Sequence, residues 1–119
     1  MIALTAKEEE IMTHFWEDGT LFVKQLIEKY PDPKPHFNTL STYVRSLEEK
    51  GFLSHENLGV TYRYFPVISR TEYQQRTIDN VVKKYFDNSY LSVVNSFVKS
   101  ENLSVDEIRK LLDEIEQNQ

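Results

Sequence analysis

A polar helical surface is predicted in the segment PHFNTLSTYVRSLEEKGF, which covers residues 35–52. At about 100° per residue, its apolar side chains form one stripe and its short polar side chains form the opposite face. This polar face holds Asn38, Thr42, Arg45 and Glu49, with Thr39 and Ser41 on its flanks, and the predicted DNA contacts are its members from Asn38 to Arg45. Asn can bond bidentately to adenine, Arg to guanine or phosphate, and Ser and Thr to several base edges. No acidic residue that would repel phosphate lies between Lys34 and Glu48. The polar face is therefore predicted to contact DNA.

The same residue types also occur on helices whose polar side only faces water, so composition alone leaves both interpretations open. Ser, Thr and Asn are mediocre helix formers, because their side chains bond to the nearby backbone. The order of the surrounding elements decides between the two interpretations, and it favours a functional surface.

Residues 1–68 predict three helices followed by a β-hairpin. The first helix begins with a capping box, in which Thr5 is the N-cap and Glu8 reaches back to it, and Gly19 ends the helix. A second helix follows in TLFVKQLIEKY, and the third is the segment described above. Two short strands are then predicted on either side of the turn sequence NLG (57–59).

This order is typical of a winged helix-turn-helix, in which the third helix lies in the major groove of DNA. The hairpin is the wing, and it can reach the DNA backbone or the minor groove. Arg63 lies on this predicted wing and is a predicted phosphate contact. Residues 1–68 are accordingly predicted to be the DNA-binding domain.

Residues 69–119 predict three amphipathic helices, the first and last of which begin with the capping boxes SRTE (69–72) and SVDE (104–107). Three short helices cannot bury three apolar stripes well by themselves. A second copy of the chain could cover the stripes, and a monomer in which the helices fold back on the N-terminal domain is the alternative. We expect dimerisation through Val81, Val82, Tyr85, Phe86, Val94, Phe97, Ile108, Leu111, Leu112 and Ile115. The predicted fold class is thus mostly α, with an N-terminal winged helix-turn-helix and a C-terminal three-helix dimerisation region.

The composition argues against an enzyme and against a bound metal or other cofactor. The 119 residues include no cysteine, and His14, His36 and His55 are scattered without metal-ligand spacing and are treated as surface residues. No apolar run approaches the roughly 20 residues of a membrane helix. The acidic start MIALTAKEEE is unlike a signal peptide, so the protein is predicted to be cytoplasmic, without membrane insertion. The net charge of −5 means that any DNA contact depends on a local surface.

The sequence resembles the penicillinase-repressor (BlaI/MecI/CopY) family of bacterial transcriptional regulators over nearly its whole length. LTAKEEEIMTHFWEDG is similar to the opening of that family, and NTLSTYVRSLEEKGFLSHENLGVTYRYFPVIS to its recognition helix and wing. YFDNSYLSVVNSFVKSENLSVDEIRKLLDEIE is similar to its dimerisation segment. The resemblance implies a homodimeric repressor of a dyad-symmetric operator, with base contacts from Thr39, Ser41, Thr42 and Arg45.

The resemblance also bears on how such a repressor is released from DNA. Antibiotic-responsive members are inactivated by cleavage at an Asn-Phe bond, and the matching pair here is Ser96-Phe97, with Asn95 one residue earlier. The resemblance thus implies Ser96-Phe97 as the proteolytic site and a membrane sensor protease as the partner that would cleave it. The chain departs from the family here, because Ser replaces Asn before the scissile bond. Pro35 and His36 replace the usual Trp-Ser pair before the recognition helix, and the cysteines of the copper-responsive relatives are absent.

Two functional hypotheses follow from the sequence. The first is a cytoplasmic transcriptional repressor of resistance or stress genes that binds a double-stranded DNA operator as a homodimer. The alternative is a winged-helix module that binds another protein, which the net acidic charge favours.

Overall fold

The computed structural model describes residues 3–101 and 103–117, which form six α-helices and one antiparallel sheet of three strands. In chain order these are α1 (Ala6–Asp18), β1 (Leu21–Phe22), α2 (Val23–Ile27), α3 (Phe37–Glu49), β2 (Leu53–Leu58), β3 (Thr61–Pro66), α4 (Arg70–Tyr85), α5 (Tyr90–Glu101) and α6 (Val105–Gln117). The chain divides between Arg76 and Thr77 into two compact units. The predicted mostly helical fold, with a winged helix-turn-helix at its N-terminal end, is confirmed.

Helix α1 begins and ends where its sequence predicts. The Glu8 N–H donates to Thr5 Oγ1 at 3.2 Å, and the Thr5 N–H donates to Glu8 Oε1 at 2.9 Å. This reciprocal pair is the predicted capping box. Gly19 ends the helix with φ +84°, and its N–H donates to the Phe15 carbonyl at 2.7 Å.

The core of the N-terminal unit lies between the first three helices and the base of the hairpin. Helix α3 packs against α1 and α2 and buries Leu40, Val44 and Leu47 of its predicted stripe. Tyr43, also in that stripe, is partly buried, and Phe37 at its margin is about half exposed. The remaining core residues are Ile11, Met12, Phe15, Leu21, Val23, Leu26, Phe52, Leu53, Tyr64 and Ile68. Because Leu40, Val44 and Leu47 are fully buried, the polar face of the same helix is held outward.

The sheet differs from the prediction in two details. The hairpin loop contains only Gly59 and Val60, because residues 57 and 58 belong to β2 and Leu58 pairs with Thr61. Gly59 adopts φ +78°, which suits the first position of a two-residue type II′ turn. Strand β1 pairs with β3 as a third strand that was not predicted, since two residues are too short to show an alternating pattern.

Helix α2 is also shorter than predicted, because Tyr30 lies beyond its end at Ile27. The chain leaves α2 through tight turns, in which the Tyr30 N–H donates to the Ile27 carbonyl at 3.1 Å. The last turn of a helix often tightens in this way. The proline-rich segment 31–35 then prevents the helix from continuing.

The C-terminal unit contains the end of α4 together with α5 and α6. Asp87 and Asn88 have positive φ angles of 55° and 61° and separate α4 from α5, at the predicted break. Ser89 Oγ accepts from the Ser92 N–H at 3.1 Å, and Ser104 Oγ accepts from the Glu107 N–H at 3.1 Å. Helix α6 has no buried residue, and Leu111, Leu112 and Ile115 of its apolar stripe are exposed in a single chain.

Candidate nucleic-acid interface

The predicted DNA-contacting residues of α3 lie on one outer face of that helix. Asn38, Thr39, Thr42 and Arg45 are exposed and Ser41 is partly exposed. Thr42 Oγ1 donates to the Asn38 carbonyl at 2.9 Å, and Arg45 Nε donates to the Ser41 carbonyl at 3.3 Å. These bonds are to the helix's own backbone, so the side-chain groups can rotate outward to a ligand at little cost.

A buried carboxylate fixes the position of α3 relative to α1. Glu8 is only 3% exposed. Its carboxylate accepts from Lys50 Nζ at 2.7 Å and from Ser46 Oγ at 3.1 Å, in addition to Thr5. Burial by itself raises the pKa of Glu8, but the bonds from Lys50, Thr5 and Ser46 outweigh burial and lower the pKa below its ordinary value. Sequence reasoning found the capping role of Glu8 and missed this connection to the C-terminal end of α3.

The wing carries the predicted phosphate contact, but in an ion pair. Arg63 on β3 lies opposite Glu56 on β2, and Arg63 Nε donates to Glu56 Oε1 at 2.7 Å. Both side chains are more than two-fifths exposed, so water and ions screen the pair. A phosphate would have to compete with Glu56 for this guanidinium.

A second polar contact joins the wing to α3. His55 Nδ1 lies 2.6 Å from Glu48 Oε2, and the imidazole stacks on Tyr62 with ring centroids 4.3 Å apart. Burial raises the pKa of the nearby Tyr64 phenol, and the negative charge of Glu48 adds to this effect. His55 itself is partly exposed, so it lies at the surface between the wing and α3. His14 is partly buried, with its ring edge-to-face against Tyr30.

An open groove of about 550 Å³ lies beside the polar face of α3. It separates α3 from the tip of the wing and from the junction of β1 with α2, and we call it the α3–wing groove. Its lining residues are Phe22, Val23, Lys24, Gln25, Phe37, Asn38, Ser41, Arg45, Val60, Thr61, Tyr62 and Tyr64. Three of the predicted DNA-contacting residues therefore also line this groove.

The residues predicted to mediate dimerisation are mostly exposed in the single chain. Those at least two-fifths exposed are Val81, Tyr85, Val94, Phe97, Leu111, Leu112 and Ile115. Phe86 and Ile108 are partly exposed, whereas Val82 is buried. The pair Ser96-Phe97 lies inside α5, with both side chains exposed.

Neither a metal site nor a membrane-spanning helix is present in the part of the chain that the structure describes. No cluster of three metal-ligating side chains occurs among residues 3–101 and 103–117. None of the helices in these ranges combines the length and the apolar character needed to cross a membrane.

Three helices, a wing and an outward polar face on the third helix define a winged helix-turn-helix protein. The profile of the penicillinase repressor family matches residues 4–117, and the chain belongs to that family. The family consists of transcriptional repressors rather than enzymes, which assigns this chain to transcription regulation.

Individual relatives agree with the family assignment at low identity. The methicillin resistance regulatory protein MecI of Staphylococcus aureus is 26% identical over 109 residues, which cover 91% of this chain and 89% of MecI. The penicillinase repressor of Bacillus licheniformis is 24% identical over 116 residues, which cover 93% and 88% of the two chains. A crystal structure of a mutant MarR from E. coli matches the fold with a TM-score of 0.50 at 12% identity, covering 96% of this chain and 76% of MarR.

Proposed function

We propose that this protein is a homodimeric repressor that binds a dyad-symmetric DNA operator with α3 in the major groove. The observation that carries the proposal is the exposed polar face of α3, which has no acidic residue from Asn38 to Arg45, on a helix that buries Leu40, Val44 and Leu47 completely. A recognition helix must be held rigidly because base contacts require side chains at fixed positions.

Arg45 is the strongest expected base or backbone contact, since it is the one cation of the polar face. Asn38, Thr39, Ser41 and Thr42 surround it with short donors and acceptors that fit a groove floor. Arg63 is the expected phosphate contact of the wing, after exchange of Glu56 for a phosphate oxygen.

The second copy is expected to bind the C-terminal helices. Helix α6 carries Leu111, Leu112 and Ile115 with no buried residue, and apolar side chains that are uncovered in this way typically mark an interface. A symmetric dimer would present two α3 helices to half-sites that are one helical turn, or a multiple of it, apart. Residues 69–119 are proposed as the dimerisation domain and residues 1–68 as the DNA-binding domain.

Release of the repressor from DNA by a sensor protease would require a change in the structure of α5. Ser96 and Phe97 are exposed, but they lie within α5, and proteases cleave extended backbone. Cleavage at this bond would therefore need local unfolding of α5 first.

The test is selection from random duplex DNA with the purified full-length protein at about 100 mM salt, where exposed long-range charge effects are screened. We expect enrichment of a dyad-symmetric sequence. Arg45→Ala should then weaken binding to that sequence by about 1–3 kcal/mol. Arg76→Ala, which changes an arginine of α4 paired with Glu72, is the matched control and should leave binding unchanged.

The alternative function is a winged-helix module that binds another protein, and the net charge of −5 favours it. Folded protein that enriches no sequence and binds no duplex at low salt would support this alternative. The same result would remove the DNA-reading role from the polar face of α3.

A further inference from the structure

The α3–wing groove has an apolar interior that opens to water. Phe37 and Tyr62 are each about half exposed at its rim, at 49% and 46%, and Val60 at the wing tip is fully exposed. Concave sites with apolar walls and a few polar groups are the usual sites of small ligands, with volumes of about 300–1,000 Å³. The groove, at about 550 Å³, lies within that range.

The charges around the groove select the kind of ligand. Its described lining includes the cations Lys24 and Arg45 and no carboxylate. Neither cation forms an ion pair in the described part of the chain, unlike Arg63, whose guanidinium is occupied by Glu56. The side-chain NH2 of Gln25, whose Oε1 accepts from the Phe22 N–H, adds a donor at the same rim. An apolar body with one negative group is complementary to this lining.

We propose that the α3–wing groove binds a small apolar carboxylate, and that the bound compound excludes DNA from the polar face of α3. Asn38, Ser41 and Arg45 belong both to the groove lining and to the predicted DNA contacts, so one occupant prevents the other. The exclusion of DNA rests on the proposed function, whereas the binding of the carboxylate does not.

Ligand binding is tested on the full-length protein without DNA. Backbone amide NMR signals are followed during titration with 2-naphthoate and, separately, with the uncharged 2-naphthamide. We expect saturable shifts at groove residues such as Gln25, Ser41 and Thr61, with a Kd for 2-naphthoate below about 1 mM. The amide should bind at least about five-fold more weakly, because it lacks the charge that the two cations attract.

Two outcomes of this titration would overturn the proposal. One is equal affinity for the acid and the amide. The other is the absence of saturable shifts at the groove, whether no saturation is seen at all or the shifts are concentrated at the separate concavity around Trp16, Val67 and Arg70.

Lys24 provides the matched variants, because it lines the groove and is not among the predicted DNA contacts. Lys24→Gln should weaken 2-naphthoate at least about five-fold, whereas Lys24→Arg, which keeps the charge, should restore most of the affinity. Lys7→Gln removes a partly exposed lysine of α1, paired with Glu10 outside the groove, and should change nothing. Unaltered affinity in Lys24→Gln would contradict the assigned role of this cation.

Competition is tested with the duplex enriched by the selection experiment. At ten times its Kd, a competitive ligand raises the apparent Kd for DNA about eleven-fold, and 2-naphthamide at the same concentration should have a much smaller effect. Groove binding without any loss of DNA affinity would disprove the exclusion step. Failure to find an operator would instead count against the proposed function, and the titration without DNA would still decide whether the groove binds carboxylates.

Discussion

At the scale of single residues, the Arg63–Glu56 pair on the wing sets how much positive charge the protein offers to DNA. Glu56→Gln frees the guanidinium and removes a negative charge that repels phosphate. We expect operator affinity to rise several-fold and the plot of log K against log salt to steepen by about 0.9 for each wing of the dimer that gains a phosphate contact. Fluorescence anisotropy at several salt concentrations measures both quantities.

A double-mutant cycle separates the two effects of this substitution. In an Arg63→Ala background, Glu56→Gln should give only the small gain that comes from lost repulsion. Glu17→Gln serves as the control, because it removes an equal charge from an exposed position on α1. If Glu56→Gln changes operator affinity by the same factor with and without Arg63, then Glu56 does not keep Arg63 from contacting phosphate.

Glu8 gives a prediction on stability and pH. The pKa of Glu8 is lowered in the folded chain, so its ionised carboxylate stabilises the fold. This stabilisation is fully present at pH values above the ordinary pKa of about 4.5, and it is lost as the pH falls through the lowered pKa. Glu8→Gln should lower the free energy of unfolding by about 1–3 kcal/mol at pH 7. Urea denaturation at pH 7 and at pH 3 should show that the difference shrinks at the acidic pH, and Glu17→Gln should show neither effect.

At the scale of elements, the wing depends on a backbone conformation that suits glycine. No atom outside its neighbours lies within 4 Å of a Cβ built on Gly59, so Gly59→Ala meets no clash and only the positive φ is strained. The substitution should cost about 1–2 kcal/mol, and operator binding should weaken because the wing is distorted. Gly59→Asn should cost less, since Asn tolerates this conformation better. Equal losses for Ala and Asn in thermal unfolding would contradict the explanation.

Much of the element order could be predicted because the signals are local. The capping box of Thr5, the stripe of Leu40, Val44 and Leu47, and the glycine of the hairpin each occupy a few neighbouring residues. Strand β1 could not be predicted, because its two residues are defined by pairing with β3 about forty positions later.

The contacts around the polar face of α3 could not be predicted from the sequence, because they join residues from separate elements. The bonds of Glu8 to Ser46 and Lys50 span 38 and 42 residues, and tertiary packing alone brings these groups together. The contact of His55 with Glu48 crosses from the wing to α3, although it spans only seven residues. The α3–wing groove likewise has no sequence signal, since its lining comes from three separate stretches of chain. The assignment of DNA contacts to particular side chains stays a prediction.

At the scale of the whole molecule, the uncovered stripe of α6 predicts an obligate pair of chains. Leu112→Asp places a charge in the apolar stripe, where an interface would have to desolvate it. We expect self-association to weaken at least about ten-fold in sedimentation equilibrium, and operator binding to weaken with it because the two half-sites lose their linkage.

Lys110→Asp is the control for the dimer prediction, because it introduces the same side chain on the same helix outside the stripe. It should leave self-association intact. A Leu112→Asp protein that associates as strongly as the parent would place the interface elsewhere and would favour the monomeric alternative.

On the proposed function, the pairing of Arg63 with Glu56 also has a kinetic consequence, because an operator-binding repressor must find one short sequence in a chromosome. About 10⁶–10⁹ non-specific sites compete for such a protein, and it stays at each for a time that grows with the number of phosphates it neutralises. A net charge of −5 and a wing cation held by its own carboxylate shorten each unproductive stop. Only a site that also satisfies the polar face of α3 holds the wing in place long enough for phosphate to replace Glu56. We therefore expect the ion pair to lower the equilibrium affinity for the operator and to shorten the time needed to find it.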